Sequence, residues 1–150
     1  MAPVRTLEEQ YAYEFLRGFI CGPGCARSPQ DALSYDAYMA GVSYRSEHPA
    51  SVDAIMSEFG FSHIEVEGIW REGDELSVFT PDDRPGEKWW FESFGKNIEW
   101  SPSQSSQPRS DSDQGVRLRI NGYLSPEGWW GHLGGYSQEF LAKSATILGK

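Results

Sequence analysis

The chain has 150 residues, 39% of them hydrophobic and 14% aromatic, with six tryptophans and a formal net charge of −9 at pH 7. That length supports one domain with a packed core that needs neither metal nor disulfide, and the aromatic content excludes a chain disordered throughout. Residues 1–60 hold four Arg against eight Asp/Glu and residues 61–150 hold nine Lys/Arg against fourteen. Neither half offers a basic face, which disfavours direct nucleic-acid binding.

MAPVRTLEEQ has acids directly after its first arginine and no long apolar run behind it. It reads as neither a secretory leader nor an anchor, so the cytoplasm is the expected location, with no membrane partner. Thr6-Leu-Glu-Glu9 fits a capping box that opens a helix, and Val4, Leu7, Tyr11, Phe15 and Phe19 then recur at helical spacing. Gly22-Pro23-Gly24 stops it. A second helix is predicted from Ser28, with Pro29 at its first position and Leu33, Ala37, Ala40, Gly41 and Tyr44 inward. Pro49 breaks that helix, and Ser51–Gly60 reads as a third, with Val52, Ile55, Met56 and Phe59 inward.

From Phe61 the period changes to two. Ile64, Val66 and Trp70 alternate with Glu65 and Glu67, as in a half-buried strand, and Leu76–Thr80 returns beside it after a turn at 71–74. Lys88–Phe94 is a third strand, and Gly95-Lys-Asn97 turns into Ile98-Glu-Trp100. Residues 102–115, PSQSSQPRSDSDQG, contain no apolar side chain to bury and read as a mobile loop inside the β region. Val116–Ser125 and Tyr136–Leu148 complete a five-strand count.

The expected fold class is α+β: a single domain over 1–150, with a helical part (1–60) packed on a β part (61–148). The β part would be a small twisted antiparallel sheet or a partly open five-stranded barrel. The run Val116-Arg-Leu-Arg-Ile-Asn-Gly-Tyr-Leu, followed by GHLGGY and a last strand, resembles the closing hairpin of small bacterial OB-like barrels. Over residues 10–46, Arg17-Gly-Phe19, the glycines behind it and Ala40-Gly41 resemble the helix pair of ribosome modulation factor. That family is basic where this segment is acidic. Neither resemblance transfers a functional residue.

Chemical signatures are sparse. Cys21-Gly-Pro-Gly-Cys25 is one residue longer than a redox C-x-x-C and follows a helix instead of opening one, so free, partly buried thiols in an interhelical turn are expected. A metal site there would need His48, His63, His132 or a distant carboxylate, and no metal or other cofactor is expected. No G-x-S-x-G, phosphate loop or dinucleotide fingerprint occurs. His132, in the stretch GWWGHLGGY, is the candidate base of a small enzyme or ligand-binding cleft, with Glu127 and Glu139 beside it.

The aromatic surplus points elsewhere. Trp89-Trp90 and Trp129-Trp130 are adjacent pairs, and neighbours in a strand face opposite sides, so one of each pair can stand outward. With Tyr123 and Tyr136 they form a candidate binding surface. The leading expectation is a non-catalytic acidic interaction protein, of the inhibitor, immunity or phage/host adaptor kind. It would engage a larger basic protein, one that itself binds nucleic acid being a candidate. A cleft at His132 is the alternative, and single-stranded nucleic-acid or sugar binding on an OB-like face is the third.

Overall fold

The computed structural model describes residues 6–22, 32–73, 76–102, 115–131 and 134–149. The fold is α+β, and the chain forms two compact units that divide between Phe59 and Gly60.

In the first unit, helix α1 (Leu7–Cys21) opens on the predicted capping box. Thr6 Oγ1 accepts from the Glu9 amide at 3.1 Å, and the Thr6 amide donates to Glu9 Oε1 at 2.9 Å. Helix α2 (Ala32–Glu47) lies against α1, and a short 3-10 turn (Pro49–Ser51) leads into α3 (Val52–Glu58). The predicted start of α2 at Ser28 lies outside the described residues.

The α1–α2 crossing is set by missing side chains. A Cβ on Gly18 would sit 1.9 Å from the Tyr38 carbonyl oxygen, and one on Gly41 would sit 2.0 Å from that of Phe15. The backbones meet at those two glycines, and Ala37 is fully buried on the same face of α2. This contact turns α1 so that Gly18 and Phe19 are buried while Leu7 and Tyr11, assigned to the apolar stripe by spacing, stay exposed. Arg45 of α2 donates from Nη1 to the carbonyls of Phe19 (2.8 Å) and Ile20 (2.7 Å), two of the acceptors that a helix end leaves without an intrahelical donor. Around the crossing, Phe15 packs on Tyr44 edge-on at 5.9 Å and on Phe59 at 6.4 Å.

Among its described residues the second unit contains six strands: β1 (Ser62–Gly73), β2 (Leu76–Pro81), β3 (Trp89–Ser93), β4 (Glu99–Ser101), β5 (Val116–Leu124) and β6 (Glu139–Gly149). β1 pairs antiparallel with β2 on one side and β5 on the other, β2 pairs antiparallel with β3, and β5 pairs antiparallel with β6. β3 then meets β6 in parallel, from Trp90↔Glu139 to Ser93↔Ala142, and closes the circuit β1-β2-β3-β6-β5. This closed five-stranded barrel is consistent with an OB-like barrel. The expected α+β architecture with a five-stranded barrel is present, its barrel closed and its sheet mixed. Residues 99–101 form a sixth strand because the far half of the long β6, beyond its contact with β3, takes β4 in parallel at Glu99↔Ser144.

Alternation sends Trp70, Phe79, Trp89, Phe91, Leu118, Ile120 and Phe140 inside. The rings of Trp89 and Phe140 stack at 5.9 Å and 8°, and Trp70 lies 5.6 Å from Phe91. The indole N–H of Trp70 in this core is satisfied: Trp70 Nε1 donates to Ser77 Oγ (3.2 Å), which donates to the Phe91 carbonyl (2.8 Å).

The outer wall carries paired charge. Arg117 forms a two-pronged pair with Asp82 (3.1 and 2.6 Å), and Arg119 Nε donates to Glu67 Oε2 at 3.0 Å. The hydrogen bonds from Arg117 hold the Asp82 carboxyl below the ordinary aspartate range; burial opposes them, and the Arg117 charge adds a lesser lowering. A depressed carboxyl stabilises the fold above its unfolded value near 4 and loses that contribution as pH falls through the folded value. Both partners are exposed, so the effect is small and screened by salt. Asp82→Asn is expected to lower stability slightly at pH 7 and by less at pH 3, as read from urea midpoints at the two values.

Candidate functional site

GWWGHLGGY lies in the connection between β5 and β6, and the connection is a hairpin that continues both strands. Ser125 starts it: its amide donates to the Glu139 carbonyl, and its Oγ accepts from the Glu139 amide, both at 2.8 Å. The Gly128 amide donates to the Ser137 carbonyl at 2.9 Å, and Trp130 and Tyr136 exchange backbone bonds at 2.9 and 3.1 Å. Trp130↔Tyr136 is thus a last antiparallel rung, beyond which the chain reverses between Gly131 and Gly134. Both glycines have positive φ, 71° and 67°. Gly131 is needed for a second reason, since a Cβ there would lie 2.6 Å from the indole ring of Trp90. Gly131→Ala is expected to cost about 1–3 kcal/mol from strain at positive φ and to displace Trp90, visible as a changed tryptophan emission spectrum.

The hairpin and β3 sort the tryptophans. Trp89 is 1% exposed and belongs to the barrel core, its Nε1 donating to Glu87 Oε1 at 3.0 Å. Its neighbour Trp90 therefore faces out, half-buried beneath Gly131 and beside Tyr136 at 5.3 Å. Trp130 is half-buried, edge-on to Phe61 at 5.7 Å, with Nε1 donating to the Pro126 carbonyl at 2.9 Å. Trp129 is 53% exposed.

Of the six residues expected to bind, Trp90, Trp130 and Tyr136 come together on the hairpin and the strand beneath it, and Trp129 stands exposed on the same hairpin. Trp89 and Tyr123 do not. Trp89 is corrected to a core residue, because strand alternation and barrel closure assign it to the interior. Tyr123 is fully buried between Phe94 (4.8 Å) and His63 (4.9 Å), with Lys143 over its ring at 5.8 Å.

His132, centre of the alternative cleft, lies outside the described residues. Glu127 is exposed on the hairpin and Glu139 is half-buried at the first position of β6. Cys21, at the end of α1, is disulfide-bonded, which corrects the expectation of free thiols; Cys25 lies outside the described residues. Among the described residues, no group of three or more His, Cys, Asp or Glu is arranged to hold a metal ion. No helix among them is long and apolar enough to cross a membrane.

Sequence reading missed Glu92. It lies two positions after Trp90 on β3 and is exposed, so the alternation that sends Trp90 outward could have placed it on the same face. It also missed His63 Nε2 at 3.0 Å from Asn121 Oδ1, a pair 58 residues apart that only the β1–β5 register creates.

No protein-family model matches the chain, and neither a curated protein nor a solved structure is significantly similar to it.

Proposed function

We propose that this chain is a non-catalytic acidic interaction protein that uses the β5–β6 hairpin, with Trp129 at its outer edge and Trp90, Trp130 and Tyr136 behind it, to hold a larger basic protein. The observation that carries the reading is the exposure of Trp129 on a hairpin whose backbone is pinned on both arms. A large aromatic ring left in water on a rigid support loses little conformational freedom when covered, which is why such residues dominate binding energies at interfaces. A net charge of −9 supplies long-range attraction to a basic surface. The charge pattern also weighs against a phosphate backbone as ligand. Arg84, Arg117 and Arg119 are each paired with carboxylates of the chain itself.

Affinity capture from the native host, comparing wild type with Trp129→Ala, tests this reading. A protein retained by the wild type and lost with the variant supports it. Identical recovery by both, or turnover of a substrate by the purified chain, overturns it.

A second reading, the stacking of a sugar or base ring, draws on the OB-like circuit and the exposed indole. The acidic charge favours the sugar over the nucleotide.

A further inference from the structure

The rung that joins the hairpin to the barrel is made partly by side chains. Leu124 and Phe140 are the last register partners of β5 and β6, so Ser125 and Glu139 come next. In a regular antiparallel ladder a hydrogen-bonded pair exchanges two backbone bonds. Only one of the two is present here, from the Ser125 amide to the Glu139 carbonyl. The Glu139 amide donates instead to Ser125 Oγ at 2.8 Å, and the Ser125 carbonyl accepts from Gln138 Nε2 at 3.0 Å. A hydroxyl has taken the amide that the serine carbonyl would take in an unbroken ladder, and a side-chain amide has taken the carbonyl.

Two further bonds extend this exchange. Ser125 Oγ donates to the Pro126 carbonyl at 2.9 Å, which also accepts from Trp130 Nε1 at 2.9 Å. Pro126 has no amide of its own to continue the ladder. The Gln138 carbonyl accepts from the Trp90 amide at 3.1 Å, so Gln138 links β3 to the base of the hairpin. Ser125 is 2% exposed, so water does not compete for these bonds, and losing one leaves a buried polar group to be satisfied.

We propose that Ser125 and Gln138 are positioning residues for the contact surface: their side chains fix how the hairpin leaves the barrel, and so where Trp129 and Trp130 stand relative to Trp90. Without the Ser125 hydroxyl, the Glu139 amide must return to the Ser125 carbonyl or go unpaired, and the hairpin shifts or its base loosens. The inference rests on the proposed function for what the surface does, while the clamp is a property of the chain alone.

The test uses the full chain carrying Ser125→Ala, Gln138→Met or both. Hydrogen exchange follows the amides of Trp130, Tyr136 and Glu139, with Leu118 and Ile120 of the barrel core as reference. The indole N–H resonance of Trp130, assigned through its loss in Trp130→Phe, reports on the Pro126 carbonyl. Each single variant is expected to speed exchange at the hairpin amides about three- to tenfold, the factor for one hydrogen bond of ordinary strength, and to leave the two barrel amides unchanged. The Trp130 resonance should move in Ser125→Ala. The double variant should fall short of the product of the single effects, because both side chains belong to one network.

Unchanged hairpin exchange in Ser125→Ala, equal acceleration at Leu118 and Ile120, or a double variant equal to that product would each overturn the proposal. Gln138 is only partly buried, so Gln138→Met keeps the test open if Ser125→Ala does not fold. Affinity capture separates the two readings. A protein lost with Trp129→Ala but fully retained by Ser125→Ala contradicts the positioning role alone. Hairpin amides that quicken as expected, beside full retention by Trp129→Ala, contradict the proposed function and support the clamp.

Discussion

Trp70→Ala is expected to remove about 3–5 kcal/mol of stability, the range for deleting a large buried aromatic side chain. Trp70 has no exposed surface and lies at the meeting of β1 with both β2 and β5, paired to Phe79 and Val116. Its ring touches those of Phe91 and Trp100, so the cavity would open among residues from three strands. A close-packed barrel cannot collapse into such a hole without breaking strand pairing, so little of the loss is recovered. Single domains are stable by about 5–15 kcal/mol, so this one change takes a large part of the margin.

Trp70→Phe separates volume from hydrogen bonding. It keeps most of the ring but removes the Nε1 donor to Ser77, and should cost less, about 1–3 kcal/mol, from the lost bond and the smaller side chain. Urea denaturation of the three proteins, followed by near-ultraviolet circular dichroism, gives the ordering wild type, Trp70→Phe, Trp70→Ala. Equal midpoints would show that Trp70 does not occupy the core.

Gly41→Ala is the second large effect, and its sign is the informative part. In an exposed helix interior this change gains up to about 1 kcal/mol of helix propensity. Here the new Cβ would lie 2.0 Å from the Phe15 carbonyl oxygen and 2.8 Å from the Phe19 amide nitrogen. Both are backbone atoms of α1 that cannot rotate away, so the helices must separate and Phe19 and Ala37 lose their close packing. A net loss of about 2 kcal/mol is expected, overpacking outweighing propensity. Ser43→Ala, on an exposed position of the same helix, should instead gain a few tenths of a kcal/mol. Hydrogen exchange over α1 and α2 distinguishes the two, with faster exchange expected at both helices in Gly41→Ala alone.

These two sites show what was legible in the chain and what was not. Local chemistry could be read: the Thr6–Glu9 capping box, the change to period two after Phe61 and the glycine turn of the last hairpin each depend on neighbours in sequence. The glycines of the helix pair were visible too, but spacing alone put Leu7 and Tyr11 on the buried stripe, because the rotation of α1 is fixed by where its backbone meets Gly41. Barrel closure was hidden for a similar reason. The parallel contacts of β3 and β4 with β6 join residues 49 and 45 positions apart, and no turn announces them. Those contacts decide that Trp89 points inward and Trp90 outward. The sequence allowed only that the two must differ.

Within the candidate site, the paired tryptophans were a sound signal and the identity of the exposed one was not. Trp129 and Trp130 are chemically equal as letters. Their fates differ because Trp130 forms the last rung with Tyr136, bonds Pro126 and meets Phe61, while Trp129 is left 53% exposed.

The contact surface itself is tested most directly by a photo-crosslinking phenylalanine analogue at position 129 in the native host, with the same analogue at the exposed Glu99 of β4 as control. One discrete protein adduct is expected from position 129 and none of the same kind from position 99. No adduct at 129, or the same adducts from both positions, would contradict it.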